Sequence, residues 1–297
     1  MPSMPRFLPQ RLKLFAAARL SALRRFAVGS ETRALLVESN DCLLLVGVED
    51  MQVGRKLSSE GVYSSGELKR LLTLLNPQSD VLVLGGHIGA FAIPLSKACR
   101  SLTVLEPNPE NFRLLELNLV LNHCDNVRAL NLAASDRQEQ LRFLASRANS
   151  GGSKRLPLRP DYRYSYDQPD VISVAAAPLD TVFPDSSFDV IVMDIEGSEY
   201  FALQGMPRLL TSARILAIEF VPHHLANVAG VEVSQFVDRI EPFFDRLLVP
   251  SKEVSAPKEQ FCEVLGRMFD KGETEEGLIF SKQPQSAAEP SAPAITS

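Results

Sequence analysis

Apolar residues follow two rhythms along this chain. DVLVL (80–84), SLTVL (101–105), NVRAL (126–130), FDVIVMDI (188–195), RILAIEF (214–220), FDRLLV (244–249) and GLIFS (277–281) are short apolar runs that read as strands. Between them, residues 90–99, 111–121, 199–210 and 232–242 carry apolar positions at helical spacing. This alternation predicts an α/β fold with a mostly parallel sheet and helices on both faces. Upstream, ALLVES and CLLLVGV are joined by Asn40-Asp41 and predict a β-hairpin. A helix is expected from Ser65 to Leu75, stopped by Asn76-Pro77. LRFLA (141–145) and VISVAA (171–176) add two strands around a loop rich in Gly, Ser, Pro, Arg and Tyr.

The ends follow another pattern. Residues 6–26 suit an amphipathic helix in which Leu8, Leu12, Phe15, Leu23 and Phe26 share a face interrupted by Arg19. Two readings stay open: a leader helix packed on the domain, or a peripheral membrane anchor. The tail after Lys282 is rich in Ser, Ala and Pro, a composition expected to be disordered. The chain thus divides into an arm (1–30), a hairpin and helix extension (31–76), a main α/β domain (77–282) and a tail (283–297).

Composition changes this picture little. Apolar residues make up 45% and charged residues 23% of 297, as in a soluble globular protein. Charge is more telling. Residues 1–30 hold six bases (Arg6, Arg11, Lys13, Arg19, Arg24, Arg25) and no acid, against 25 bases and 36 acids in the rest. A net charge of −5 argues against a general nucleic-acid binder, so no nucleic-acid partner is expected. Cys42, Cys99, Cys124 and Cys262 form no C-x-x-C pair, which fits a reducing compartment. No run spans a bilayer and no secretory signal is evident, so a cytoplasmic location is expected.

In such sheets, ligands bind beyond the carboxyl ends of the strands, and the candidate chemistry collects there. LVLGGHIGAF (82–91) runs from a strand into glycines 85, 86 and 89, which permit a sharp turn and close approach of a ligand. With His87 and Ala90 in place, the dinucleotide fingerprint fails. Glu106 ends the next strand about twenty residues on, where a carboxylate can accept both hydroxyls of an adenosine ribose. The same position suits a helix N-terminal acid. MDIEGSE brings Asp194 to the end of an inner strand, followed by Glu196 and Glu199. Asp194 or Glu196 would serve as general base or bind an acceptor hydroxyl, although the spacing also suits helix capping. Glu199 reads as structural. Glu219, His223 and His224 follow the next strand, and His223 is the histidine candidate for a base. Clustered carboxylates suit a hard cation, but no further ligand is identifiable and no metal is assigned.

Taken in order, GGHIG, LEPNPENFRLLELNLVLN, LNLAASD, LDTVF and VMDIEGSEYFALQGM resemble the FkbM family of S-adenosylmethionine-dependent methyltransferases. The resemblance covers roughly Ser65 to Phe220. It implies a class I methyltransferase fold, Rossmann-like, with a seven-stranded mostly parallel sheet whose last strand is antiparallel. It also implies methylation of hydroxyls, often on sugars, glycolipids or polyketides, so the expected partner is a small-molecule or carbohydrate-like acceptor. Carried onto this chain, Gly85, Gly86, His87 and Gly89 would face the aminoacyl part of the cofactor, and Glu106 would hold the ribose. Asn108 and the segment Ala133, Ala134, Ser135 and Asp136 would lie near the adenine. The chain departs from the family at three positions. Val83 replaces an acid implied as an anchor for the cofactor's ammonium end, His87 replaces an Asn, and Val192 replaces a Lys. These departures leave a catalytically impaired binding or scaffold protein as an alternative, and, more remotely, an NAD-dependent oxidoreductase would share the glycine turn and the acid. The acceptor pocket is expected from loops 146–170 and 221–232, with Tyr162, Tyr164 and Tyr166 stacking on a sugar ring or packing a lid.

Overall fold

The computed structural model describes residues 10–29, 31–39, 41–61 and 64–282. Arg6 and Leu8 of the arm, Asn40 of the hairpin turn and the tail from 283 lie outside the described residues.

Helix α1 (Gln10–Val28) precedes the hairpin of β1 (Ala34–Ser39) and β2 (Cys42–Gly47), which pair antiparallel from Ser39 opposite Cys42. Helices α2 (Val53–Glu60) and α3 (Ser65–Thr73) lead into the main sheet. Its first two strands are β3 (Asp80–Leu84) and β4 (Ser101–Leu105), with α4 (Ala92–Ser96) between them. Helix α5 (Pro109–Leu121) then leads to β5 (Val127–Leu130). A separate small sheet is made by β6 (Ala133–Ala134), β7 (Glu139–Ala145), β8 (Lys154–Arg155) and β9 (Asp170–Ala177), in the order β6-β9-β7-β8. The main sheet resumes with β10 (Val190–Met193) and β11 (Ile215–Phe220). It closes with β12 (Arg246–Val249), β13 (Val254–Pro257) and β14 (Glu275–Ser281).

The main sheet has eight strands in the order β5-β4-β3-β10-β11-β14-β12-β13. Strands β5, β4, β3, β10 and β11 are parallel, whereas β14 runs antiparallel to both β11 and β12. The expected antiparallel last strand is therefore present, inserted beside β11. The count is eight rather than seven, because β13 turns back on β12 as an edge strand. VSAP has too few apolar residues to announce a strand, and its pairing supplies what its composition lacks.

Two apolar layers sandwich the sheet. Leu82, Leu84, Met193 and Ile218 face one, and Val81, Val83, Val192 and Ala217 face the other, as strand alternation requires. Several helices differ from expectation for local reasons. Pro207 splits the predicted 199–210 helix into Glu199–Gln204 and Pro207–Ser212, since it cannot donate within a helix. The 232–242 helix shortens to Val233–Val237. Helices Val53–Glu60 and Phe261–Asp270 were not expected from the pattern.

The hairpin is tied to the sheet by two asparagines one turn apart on α5. Asn118 Oδ1 accepts from Leu45 N (2.6 Å) and its Nδ2 donates to Leu45 O (3.1 Å). Asn122 repeats the arrangement at Leu43, with 3.0 and 2.7 Å. Their amides thus satisfy the edge of β2 as a neighbouring strand would. Asn118 Nδ2 also donates to Ile88 O at 2.8 Å, joining the hairpin to the glycine loop.

Candidate active site

Strands β4, β3 and β10 lie side by side and parallel, so their carboxyl ends open on one edge. The loops leaving them, with part of α2 and the turn at 149–153, enclose a cleft of about 200 Å³. Gly85, Gly86, His87, Glu106, Asp194 and Glu196 all line it.

The glycine loop is shaped by its neighbours. Gly85 has φ +91, and a Cβ there would lie 1.8 Å from the carbonyl oxygen of Asp194. At Gly86 a Cβ would meet the Val104 side chain at 2.3 Å. These glycines are therefore demanded by packing against the Asp194 backbone and β4. The backbone N–H groups of both donate to Leu105 O, at 3.0 and 2.9 Å.

His87 also adopts a left-handed conformation, with φ +47. That region disfavours most side chains but admits Asn and His comparatively well, so the same turn accepts the family's Asn and this chain's His. Its N–H donates to Glu106 Oε2 at 2.8 Å, and Asn108 N donates to Oε1 at 2.8 Å. Burial nevertheless raises the Glu106 carboxyl to about 7, against the lowering effect of these bonds. The His87 ring is engaged beneath the 149–153 turn. Ser150 Oγ donates to Asp50 Oδ2 (2.6 Å) and lies 2.7 Å from His87 Nε2. With the hydroxyl proton committed to Asp50, Nε2–H is the donor to Ser150, which fixes the tautomer. Burial lowers the imidazole's affinity for a further proton, so the ring is neutral near pH 7.

The residues expected near the adenine separate into two groups. Ala133 and Ala134 line the cleft. Asn108 instead caps α5, its Oδ1 accepting from Glu110 N, and its Nδ2 donates to Ser153 Oγ. The Ser135 hydroxyl is held by Glu139 and Arg155, and Asp136 lies beside it outside the cleft lining.

On the other side of β3, acids gather around one lysine. Lys154 Nζ lies 2.6 Å from Glu196 Oε2 and 3.0 Å from His224 Nε2, under the ring of Tyr164 at 4.9 Å. Glu196 has φ +57 in the turn after β10, and Gly197 follows at φ +99. Glu219 Oε2 lies 3.6 Å from His224 Nδ1, an atom with no hydrogen-bond partner. Burial depresses His224 well below the usual imidazole range, and Lys154 adds to the effect. Burial also pushes Asp194 and Glu219 well above the ordinary carboxyl range, and neighbouring acids push them further. Asp194 Oδ1 is buried and unpartnered.

Glu199, read as structural, accepts from Ile195 N at 3.0 Å and is raised by burial to about 7. His223 is turned elsewhere: its Nδ1 lies 2.8 Å from Tyr164 Oη, and burial holds it down at about 4. It is His224, its neighbour, that meets the acids. GSKRL carries only loop signals and does not mark Lys154, which the fold alone brings against Glu196. Glu196, Glu219 and His224 present donor atoms within 4.8 Å of one another, a spacing that suits a divalent cation, and the Lys154 ammonium stands against two of the three.

The remaining departures explain each other. Val83 and Val192 are register partners on adjacent strands, both buried in the layer containing Leu71 and Ala217. Neither lines the cleft. An acid and a lysine at these positions would face one another as a buried pair, and exchanging both for apolar residues is often neutral or stabilising.

The residues present fit S-adenosylmethionine on two counts. A buried carboxyl, Glu106, faces the cleft at the end of β4. Across β3, Asp194 lines the cleft with a buried, unpartnered oxygen that a cationic ligand can satisfy. Comparison with known proteins gives a family. The family model described as the methyltransferase FkbM domain matches residues 84–250. Among solved structures, a methyltransferase FkbM from Methylobacillus flagellatus KT is 16% identical with a TM-score of 0.40, covering 70% of this chain and 44% of that one. The chain therefore spans less than half of that relative's length. TYW2 of M. jannaschii, solved with AdoMet, is 14% identical with a TM-score of 0.43, covering 85% and 88%. A TehB-like SAM-dependent methyltransferase from Corynebacterium glutamicum is 12% identical with a TM-score of 0.43, covering 77% and 94%. No curated protein matches. With the family model spanning more than half of the chain, on a sheet and cleft of this form, the protein belongs to the FkbM family of methyltransferases, whose methyl donor is S-adenosylmethionine.

Proposed function

We propose that this chain is an O-methyltransferase acting on a hydroxyl of a small or carbohydrate-like acceptor, with no nucleic-acid substrate. The observation that carries the reading is the pair of carboxyl groups flanking the glycine loop. Glu106 lies at one side, and Asp194 with Glu196 at the other. S-adenosylmethionine supplies an electrophilic methyl group on a sulfonium centre when bound. Glu106 accepts the ribose hydroxyls with lone pairs left free by His87 N and Asn108 N. Gly85, Gly86 and His87 line the aminoacyl side, and Ala133 and Ala134 form the apolar wall for the adenine.

Asp194 and Glu196 act at the reactive side. Glu196, paired with Lys154, is the carboxylate that receives the proton of the acceptor hydroxyl. Lys154 fixes its Oε2 at 2.6 Å, so the base is positioned before the acceptor arrives. Asp194 holds the acceptor hydroxyl or balances the cofactor's positive charge. His223, committed to Tyr164, has no role in proton transfer in this scheme.

Two observations stand against the impaired-scaffold reading. Val83 and Val192 form a compensated apolar pair away from the cleft, and His87 occupies a turn that suits it. The oxidoreductase alternative gives way to the family assignment. The test is mass spectrometry for a gain of one methyl across a panel of hydroxylated acceptors, with Glu196→Gln and Asp194→Ala as controls. A methyl gain abolished by Glu196→Gln supports the scheme. Full turnover in that variant would remove Glu196 as the base.

A further inference from the structure

Helix α1 is amphipathic in an unusual sense: its apolar residues point outward. At the α-helical advance of about 100° per residue, Leu12, Phe15, Arg19, Leu23 and Phe26 fall within roughly one quarter of the circumference. Phe15 is 49% exposed, Leu23 62% and Phe26 86%, with Leu12 at 46%. The opposite face buries Ala17 and Ser21 against the protein. Ser21 Oγ donates to Glu49 O at 2.7 Å, and Arg24 reaches Asp50 O and Ser58 Oγ, each at 3.3 Å. The inward face is thus small and polar, and the outward face is large and apolar. That is the reverse of a helix serving only to cover a core.

The charge on this segment selects what could cover that face. Six bases and no acid fall in residues 1–30, while the rest of the chain has 36 acids against 25 bases. Arg19 lies within the apolar sector, its guanidinium carbon 5.3 Å from the Phe15 ring centroid. From there the long side chain can rise to a headgroup while its stem lies beside the rings. Arg11 is exposed about two turns earlier, over the Tyr162 ring at 5.5 Å. A second copy of the same basic helix would bring like charges together, whereas an anionic lipid surface complements them.

We propose that α1 docks this protein on an anionic phospholipid bilayer, inserting Leu12, Phe15, Leu23 and Phe26 below the headgroups with Arg11 and Arg19 at the phosphates. The helix lies on the 49–58 segment, whose Gln52, Val53 and Lys56 form one rim of the cleft. Docking through α1 therefore leaves that rim about one helix diameter (~10 Å) from the membrane. No helix among the described residues is long and apolar enough to cross a membrane, so the attachment is peripheral. The proposal concerns a face outside the cleft and is independent of the methyl-transfer scheme.

Flotation of the full-length chain with vesicles tests it. Phosphatidylcholine vesicles carrying phosphatidylglycerol should carry the protein upward, and pure phosphatidylcholine vesicles should do so much less. Added salt should weaken the association. Phe15→Ser combined with Phe26→Ser should reduce binding by about tenfold or more, with an unchanged circular dichroism spectrum because both side chains are exposed. Arg19→Glu should weaken binding to the anionic vesicles alone. The proposal is overturned by failure to float with anionic vesicles or by equal flotation of the double variant. It is also overturned if sedimentation equilibrium shows a dimer that the double variant dissociates, for then a second copy covers the face.

Discussion

At the residue scale the account rests on Glu106 and Lys154. Both oxygens of Glu106 accept loop N–H groups, yet burial raises its carboxyl to about 7. Ribose hydroxyls donate to the ionised form, so cofactor binding should tighten as pH rises from about 6 to about 8. Equilibrium dialysis with labelled S-adenosylmethionine should show that rise in the native chain and a flat profile in Glu106→Gln. Affinity in the variant should fall by about 100-fold, since its amide sets a donor against one of the two backbone N–H groups. A pH-independent affinity in the native chain would assign the ribose to another residue. Lys154 is almost fully buried and neutralises Glu196 while donating toward His224. Lys154→Met should cost about 3 kcal/mol in urea unfolding, because it strands a partly buried carboxylate. A cost below about 1 kcal/mol would show that Glu196 finds water instead.

At the element scale, Val83 and Val192 test whether strand register explains the departures from the family. Val192→Lys alone places an unpaired ammonium in an apolar layer and should destabilise by about 3–5 kcal/mol. Adding Val83→Asp on the adjacent strand should recover part of that loss, giving a favourable coupling above about 1 kcal/mol in a double-mutant cycle. Additive losses would mean that the two side chains do not meet. Asn118 is the other element-level joint. Asn118→Ala removes bonds to Leu45 N, Leu45 O and Ile88 O, and should lower stability by about 2–3 kcal/mol as measured by urea denaturation.

Much at this scale was legible in the sequence. The parallel strands β3, β4, β5, β10 and β11 fall within the runs that foretold them, and β3, β10 and β11, buried on both faces, are the most apolar. Glu106 and Asp194 were readable because each follows such a run. The partners of those acids were not readable. Lys154 meets Glu196 from 42 positions away, and His224 rather than His223 faces the acids, a choice set by local backbone direction. Nor could a sequence reveal that Val83 and Val192 are register partners, since register emerges only once the sheet order is fixed.

At the scale of the whole molecule, buried acids and histidines set opposing pH dependences. Glu106 and Glu199, at about 7, and Glu67, at about 8, hold protons in the folded state that the unfolded chain releases near 4.5. Each therefore makes stability fall as pH rises toward its folded value. His87, His223 and His224 act oppositely below about 6.5, where the unfolded chain binds protons that the folded chain refuses. Between about 6.5 and about 8 the acids act alone. The urea midpoint should accordingly be lower at pH about 8 than at about 6.5, and S-adenosylmethionine should narrow the difference by placing positive charge beside Asp194.

The most direct test of the central claim is a calorimetric titration of the purified chain with S-adenosylmethionine, with NAD as the control ligand. Saturable one-site binding of S-adenosylmethionine, no heat with NAD and a strong loss in Glu106→Gln are the predicted results. Absence of measurable binding, or binding untouched by Glu106→Gln, would contradict the account of this cleft.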